Sequence, residues 1–141
     1  SITAALGLSQ LDKIEKIIDM RRKNAKYYRL KLKKIKEITL QDEPPSFKHV
    51  YQFYPILLRN SIIRAKLMSF LASKGIMTRV FFKPVHKTKF FSKIGYGSVS
   101  LPNTEKTSKQ ILALPMYPTL RKEQITYITD SITEFFEYTD K

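Results

Sequence analysis

The sequence predicts an α+β domain in which helices back a small, mostly antiparallel sheet. Three observations carry this: an apolar stripe of period 3.6 over the first third, two aromatic and β-branched runs in the middle, and a second amphipathic stripe near the C-terminus. At 141 residues the chain is the size of one domain. A chain of this length buries about two-thirds of its surface, enough for one real core. Hydrophobic residues make up 43%, which argues against global disorder.

Leu8, Leu11, Ile14, Ile18, Ala25, Tyr28, Leu32 and Ile35 recur at helical spacing, and neither Gly nor Pro interrupts the run from Leu8 to Leu40. The stripe predicts one helix of about 40 Å, long enough to protrude or to connect two bodies. It ends before Pro44-Pro45. His49–Arg59 reads as a strand, with Pro55 pointing to an edge or bulge. Ser61 caps a helix to about Lys74, with Ile63, Leu67, Phe70 and Leu71 on its inner face, and Gly75 stops it. Ile76–Phe82 reads as a second strand. Residues 83–109 hold Pro84, Gly95, Gly97 and Pro102 and read as a long loop, functional or poorly ordered. Ile111–Leu114 is a short strand or turn. From about Arg121 a last helix places Ile125, Ile128, Ile132 and Phe136 on one face.

Composition narrows the chemistry. Cysteine is absent, so disulfides, thiolate metal sites and a cysteine nucleophile are excluded. No apolar run reaches the roughly 18 residues of a membrane span, and no signal-peptide pattern opens the chain. The net charge is +14, from 26 Lys and Arg against 12 Asp and Glu, which favours contact with anions. Much of the excess lies between Lys13 and Lys36, where 11 residues are basic. This stretch has two readings: a track for a phosphate backbone, or the solvated face of an amphipathic helix. The second is favoured, because the lysines fall between the apolar positions and no nucleic-acid-binding signature accompanies them. His49 and His86 lie on different elements, so no metal site is expected. There is no phosphate-binding glycine loop, no nucleophile elbow and no paired carboxylates.

The segment Thr78-Arg-Val-Phe-Phe-Lys-Pro-Val-His86 combines a cation, two adjacent aromatics and a histidine at the mouth of the loop. Alternation puts one of Phe81 and Phe82 into the core and leaves the other facing away. Both are packing residues, or one lines a pocket while Arg79 or His86 meets an anion or hydroxyl.

Several stretches, in order, carry a resemblance: Thr3-Ala-Ala-Leu-Gly-Leu-Ser-Gln-Leu-Asp-Lys-Ile14, Arg21-Arg-Lys-Asn-Ala25 with Tyr28, His49-Val-Tyr51, Gly75-Ile-Met-Thr-Arg79, Pro84-Val-His86, Leu101-Pro102 and Leu112-Ala-Leu-Pro-Met-Tyr-Pro118. Together they resemble the DegT/DnrJ/EryC1/StrS sugar aminotransferases over nearly the whole chain. The resemblance implies the small C-terminal domain of a fold-type I pyridoxal-phosphate enzyme. Residues 1–12 would be the tail of a long interdomain helix in contact with a large N-terminal domain, and 13–141 the small domain. It implies a cytoplasmic homodimer that moves an amino group from glutamate to a nucleotide-linked keto sugar. The Schiff-base lysine and most cofactor contacts would lie in the large domain, so no catalytic residue and no metal ligand is assigned here and the fragment alone would be inactive. Many members carry a His-Tyr pair after the Gly-Ile strand, where this chain has Phe81-Phe82. That stretch resembles the perosamine synthase branch, which acts on a GDP-linked 4-keto-6-deoxymannose, although Lys83 stands where that branch often has an aromatic. By residue match, Arg79, Phe81, Phe82 and His86 become the candidate substrate contacts. The competing reading is a small basic non-enzymatic binding protein for nucleic acid or another anionic partner.

Overall fold

Tyr54–Leu58 alternates buried and half-buried residues and forms a strand, β2. The structure, a computed structural model, describes residues 1–139. Two further strands, β1 (Ile38–Leu40) and β3 (Ile111–Leu114), flank β2 on either side, and both pairings are antiparallel. Ile38 faces Leu58 and Leu40 faces Ile56, while Tyr54 faces Leu114 and Ile56 faces Leu112. The side chains of Tyr54, Ile56 and Leu58 therefore share one buried face with Leu112, Leu114 and Ile38.

Helices close that face. The chain has α1 (Ile2–Leu11), α2 (Ile14–Leu32), α3 (Ser61–Ser73), α4 (Lys89–Lys93), α5 (Pro102–Gln110) and α6 (Lys122–Thr139). Ala25, Tyr28 and Leu32 of α2, Leu67 and Leu71 of α3, and Ile125, Ile128, Ile132 and Phe136 of α6 enter the same core. Tyr28 stacks on Tyr54 with ring centroids 4.7 Å apart and donates its hydroxyl to the Pro115 carbonyl at 2.9 Å. The buried ring thus keeps its polar end satisfied.

Pro55 sits in the central strand, not at an edge. Its partner Ala113 turns both backbone groups the other way, donating to Arg79 O at 2.8 Å and accepting from Arg79 N at 3.1 Å. On Pro55's other side β1 has already ended, since its last residue Leu40 pairs with Ile56. The missing N–H therefore costs no ladder bond.

The long helix expected over residues 8–40 is divided. The Lys13 N–H bonds to Gln10 O, three residues back, so residues 12 and 13 form a tight turn between α1 and α2. No residue of α1 is buried, so nothing holds its stripe in line with that of α2. The helix also stops at Leu32, and Ile38-Thr-Leu40 is taken by β2 as an edge strand: tertiary pairing outweighs the local helical pattern. Asn60, not Ser61, caps α3, accepting from the N–H groups of Ile62 and Ile63 at 3.0 and 2.9 Å. Gly75 ends that helix as expected, with φ +74°.

Residues 83–109 are more ordered than the sequence suggested. They contain single 3-10 turns at Val85–Lys87 and Tyr96–Ser98 as well as α4 and α5. Pro102 opens α5 at a position where its missing N–H is harmless. The Lys87 ammonium crosses the segment to the carbonyls of Gly97 and Val99, each at 3.1 Å.

The connection from β1 to β2 is irregular, and α2 fastens it. Arg22 donates both terminal nitrogens to the Glu43 carboxylate and one of them also to His49 O at 2.7 Å. Seven residues on, and so on the same helix face, Arg29 holds Asp42 and donates to Gln41 O at 3.0 Å. Glu43 also accepts the His49 N–H at 2.7 Å and the Tyr51 hydroxyl at 3.3 Å. The Tyr51 N–H donates to His49 Nδ1 at 2.8 Å, and Tyr51 holds φ +47°, an uncommon conformation for a residue with a side chain. First the Arg22 guanidinium and then the His49 N–H hold the Glu43 carboxyl down at about 2.

Two outcomes follow for the 141-residue chain. Ile56→Ala, at a fully buried position of β2, should cost about 2–5 kcal/mol in denaturant unfolding, whereas Leu8→Ala, 65% exposed on α1, should stay within about 0.5 kcal/mol. Because the folded pKa of Glu43 lies below its ordinary 4.5, its contribution is present above that pH and is lost as the pH falls toward 2. Glu43→Gln should therefore lower stability at neutral pH and flatten its acid dependence between pH 4.5 and 2. An unchanged acid dependence would dissociate Glu43 from that loss.

Candidate functional site

Residues 76–82 were expected to form a strand, and they contribute only the single bridge Arg79–Ala113. Both neighbouring pairings are blocked. Opposite residue 77 would stand Pro115, which has no N–H; opposite residue 81 would stand Ile111, whose N–H already caps α5 on Thr107 O. The backbone past Arg79 is thereby released from the sheet, and two aromatic side chains beyond Val80 lie at the surface.

Those side chains are Phe81 and Phe82. Phe81 is half-buried against Phe53, with centroids 4.3 Å apart, and Phe82 lies 4.9 Å beyond it, 71% exposed. Neither joins the buried core, contrary to the strand-alternation argument. The three rings make a continuous aromatic ledge. Phe53 reaches it from the connection that Arg22 and Glu43 fasten, two residues after the strained Tyr51.

Two cavities adjoin the ledge. One, of about 310 Å³, is lined by Arg79, Phe81, Gln52, Phe53, Met77 and the turn Pro115-Met116-Tyr117. The other, of about 480 Å³, runs from Phe81 and Phe82 past Lys83 to Asn103 and Thr107 of α5. Three of the four residues singled out from the sequence, Arg79, Phe81 and Phe82, thus come together.

His86 lines neither cavity. It is buried, 7% exposed, and its Nε2 lies 3.0 Å from a carboxylate oxygen of Glu105. The same oxygen accepts the Leu101 N–H at 3.2 Å, and Lys87 stands 3.7 Å away. These contacts, the His86 bond foremost, hold the Glu105 carboxyl below its ordinary range. The pair ties the turn after Phe82 to the first turn of α5.

Gln52, Phe53, Met116 and Tyr117 are site residues that sequence reasoning did not single out. A strand reading of 49–59 hid the first two. The Pro115/Pro118 bracket was the available signal for the others, since two prolines three apart preclude regular structure between them.

The described residues do not by themselves form a seat for pyridoxal phosphate. Its chemistry needs a desolvated lysine amine, and no lysine among the described residues is buried. Lys74, among the less exposed, is engaged by Glu134 at 2.7 Å, and Lys87 by backbone carbonyls. What the site offers is an aromatic and apolar surface with Arg79 in its lining.

The model of the DegT/DnrJ/EryC1/StrS aminotransferase family matches residues 1–133. The chain is 33% identical over its whole length to 37% of the GDP-perosamine synthase of Escherichia coli O157:H7. Over 91 residues it is 37% identical to a pleiotropic regulatory protein of Geobacillus stearothermophilus, of which the match covers 24%. Among solved structures, Helicobacter pylori PseC, an aminotransferase involved in the biosynthesis of pseudoaminic acid, superposes with a TM-score of 0.87 at 25% identity, over 97% of this chain and 37% of PseC. DesV of S. venezuelae, solved with a ketimine intermediate, gives 0.85 at 26% identity over 94% of this chain and 35% of DesV. The chain thus spans between a quarter and somewhat over a third of the relatives it matches. Its α+β architecture, with a three-stranded antiparallel sheet, is that of a domain these aminotransferases contain. By sequence and by fold, the chain belongs to the DegT/DnrJ/EryC1/StrS aminotransferase family.

Proposed function

We propose that the chain is the small domain of a pyridoxal-phosphate-dependent nucleotide-sugar aminotransferase, and that it closes over the sugar. The intact enzyme would take an amino group from glutamate and place it on a GDP-linked 4-keto-6-deoxyhexose. The observation that carries this reading is the Phe53–Phe81–Phe82 ledge with Arg79 beside it. The identity to GDP-perosamine synthase along the whole chain supports the choice of substrate class.

In this reading Phe81 and Phe82 cover the apolar side of the sugar, including its 6-methyl group, and exclude water from it. Arg79 meets an anionic or hydroxyl group of the substrate. His86 acts through Glu105, holding the turn on which the phenylalanines stand. Pyridoxal phosphate, when bound, supplies the electron sink for amino transfer, and its lysine partner belongs to the part of the enzyme this chain does not span. Residues 1–12 serve as the tail of an interdomain helix and 13–141 as the small domain. The apolar residues Ile2, Leu6, Leu8 and Leu11 support this, because all are exposed on α1 with no partner among the described residues. The enzyme is read as a cytoplasmic homodimer, in keeping with its family resemblance.

The test uses the intact enzyme. Phe81→Ala/Phe82→Ala should lower kcat/KM for the nucleotide sugar by roughly tenfold or more, while the glutamate half-reaction changes by no more than about twofold. Equal losses in both halves would overturn the assignment of the ledge to the sugar.

A further inference from the structure

Residues 89–96 carry an apolar surface that the core does not use. Phe90, Phe91, Ile94 and Tyr96 are all exposed, Phe90 at 66% and Ile94 at 53%, and none belongs to the buried core. Phe90 and Ile94 stand four residues apart and so on one side of α4, where the Ile94 N–H donates to Phe90 O at 3.3 Å. The ring of Phe91 links Phe90, at 5.3 Å between centroids, to Tyr96, at 6.0 Å. The four side chains thus form one knob, and an exposed apolar patch of this kind marks contact with another surface.

Lysines flank the knob. Lys89 and Lys93 form a second row on α4, each one residue ahead of Phe90 and Ile94. Among the described residues, neither ammonium has an ion-pair or hydrogen-bond partner. The charge around them is of one sign along the chain: no Asp or Glu stands between Glu43 and Glu105, whereas ten Lys and Arg do. The base of the knob is tied inward. Lys87 donates to the carbonyls of Gly97 and Val99, and the Thr88 hydroxyl to Val85 O at 2.7 Å.

We infer that this knob docks on the surface of a bilayer that contains anionic lipid, lying on it rather than spanning it. Phe90, Phe91 and Ile94 enter the boundary between headgroups and acyl chains, and Lys89 and Lys93 meet the anionic headgroups. Tyr96 has an apolar ring and a hydroxyl, which suits the headgroup level. Two features select lipid over protein. Lys87 and Thr88 are satisfied within the knob, so its apolar side chains can enter a medium that offers no hydrogen bonds. The uniform positive charge matches a continuous negative surface and opposes a second copy of this chain, which would set lysine against lysine. The inference is independent of what the candidate site binds.

The test is co-sedimentation of the intact protein with lipid vesicles at about 0.1 M salt. Phosphatidylcholine vesicles with about a quarter phosphatidylglycerol should bind it roughly tenfold or more strongly than phosphatidylcholine alone. Phe90→Ala/Ile94→Ala and Lys89→Gln/Lys93→Gln should each weaken that binding by roughly tenfold. Lys23→Gln/Lys26→Gln, the same charge change at exposed positions of α2, should weaken it by no more than about twofold. An unchanged thermal midpoint verifies that each variant is folded. If the α2 variant weakens binding as much as the α4 lysine variant, the attraction is one of net charge alone and the knob is not its seat. If Phe90→Ala/Ile94→Ala binds as the unmodified protein does, no insertion occurs and the inference is overturned. Absence of binding to either vesicle overturns it outright; a change of oligomeric state in the Phe90→Ala/Ile94→Ala variant would then assign the knob to contact between copies.

Discussion

The domain is organised around a strand of five residues that must be paired on both sides. Tyr54–Leu58 puts every second side chain into the core and carries an edge strand on each flank. A central strand tolerates a proline only where no ladder bond is asked of it. Pro55 meets that condition because Ala113 turns its hydrogen bonds outward and because β1 is only three residues long. The same outward turn of Ala113 creates the single bridge to Arg79. The placement of the candidate site thus descends from the hydrogen-bond phase of the central strand.

The aromatic ledge is assembled from two segments, each held from outside the sheet. Phe81 and Phe82 stand on a stretch that Pro115 and the capped Ile111 N–H keep from becoming a strand, and His86–Glu105 fixes its far end. Phe53 stands on a connection that Arg22, Arg29 and Glu43 pull onto α2. Both holds centre on a partly buried carboxylate, Glu43 in one and Glu105 in the other, where an ionised partner makes the stronger hydrogen bonds. Glu43 illustrates the consequence: three donors on one carboxylate keep it ionised far into the acid range. Arg22 of the Arg21-Arg22 pair reaches the backbone of the His49-Val-Tyr51 motif.

The basic excess of the chain is handled differently. Arg22 and Arg29 are engaged by acidic side chains, as are Lys31, Lys48 and Lys74, while most other lysines of α2 face solvent between the buried positions. This is the arrangement of a solvated helix face. The proposed sugar contacts lie instead on residues 79–82, where the backbone leaves the sheet.

The sequence by itself determined the elements whose pattern is local. The stripes of α3 and α6, the Gly75 stop and the core positions Tyr28, Leu32, Leu67, Ile125 and Ile132 were legible because periodicity reports directly which face is buried. Ordered family motifs, each short, also made the family legible. Of the site, Arg79, Phe81 and Phe82 could be read from unusual composition in one short stretch. Tertiary structure alone decided the rest. It broke the long helix at residues 12–13, turned Ile38–Leu40 into a strand, reduced 76–82 to one bridge, buried His86 against Glu105, and brought Gln52, Phe53 and Tyr117 to the cavity. The strand at Ile38–Leu40, the single bridge at Arg79 and the burial of His86 depend on hydrogen bonds between residues far apart in the chain. Whether a backbone N–H is free or engaged is settled by its partner across the fold, and that partner leaves no mark in the local pattern.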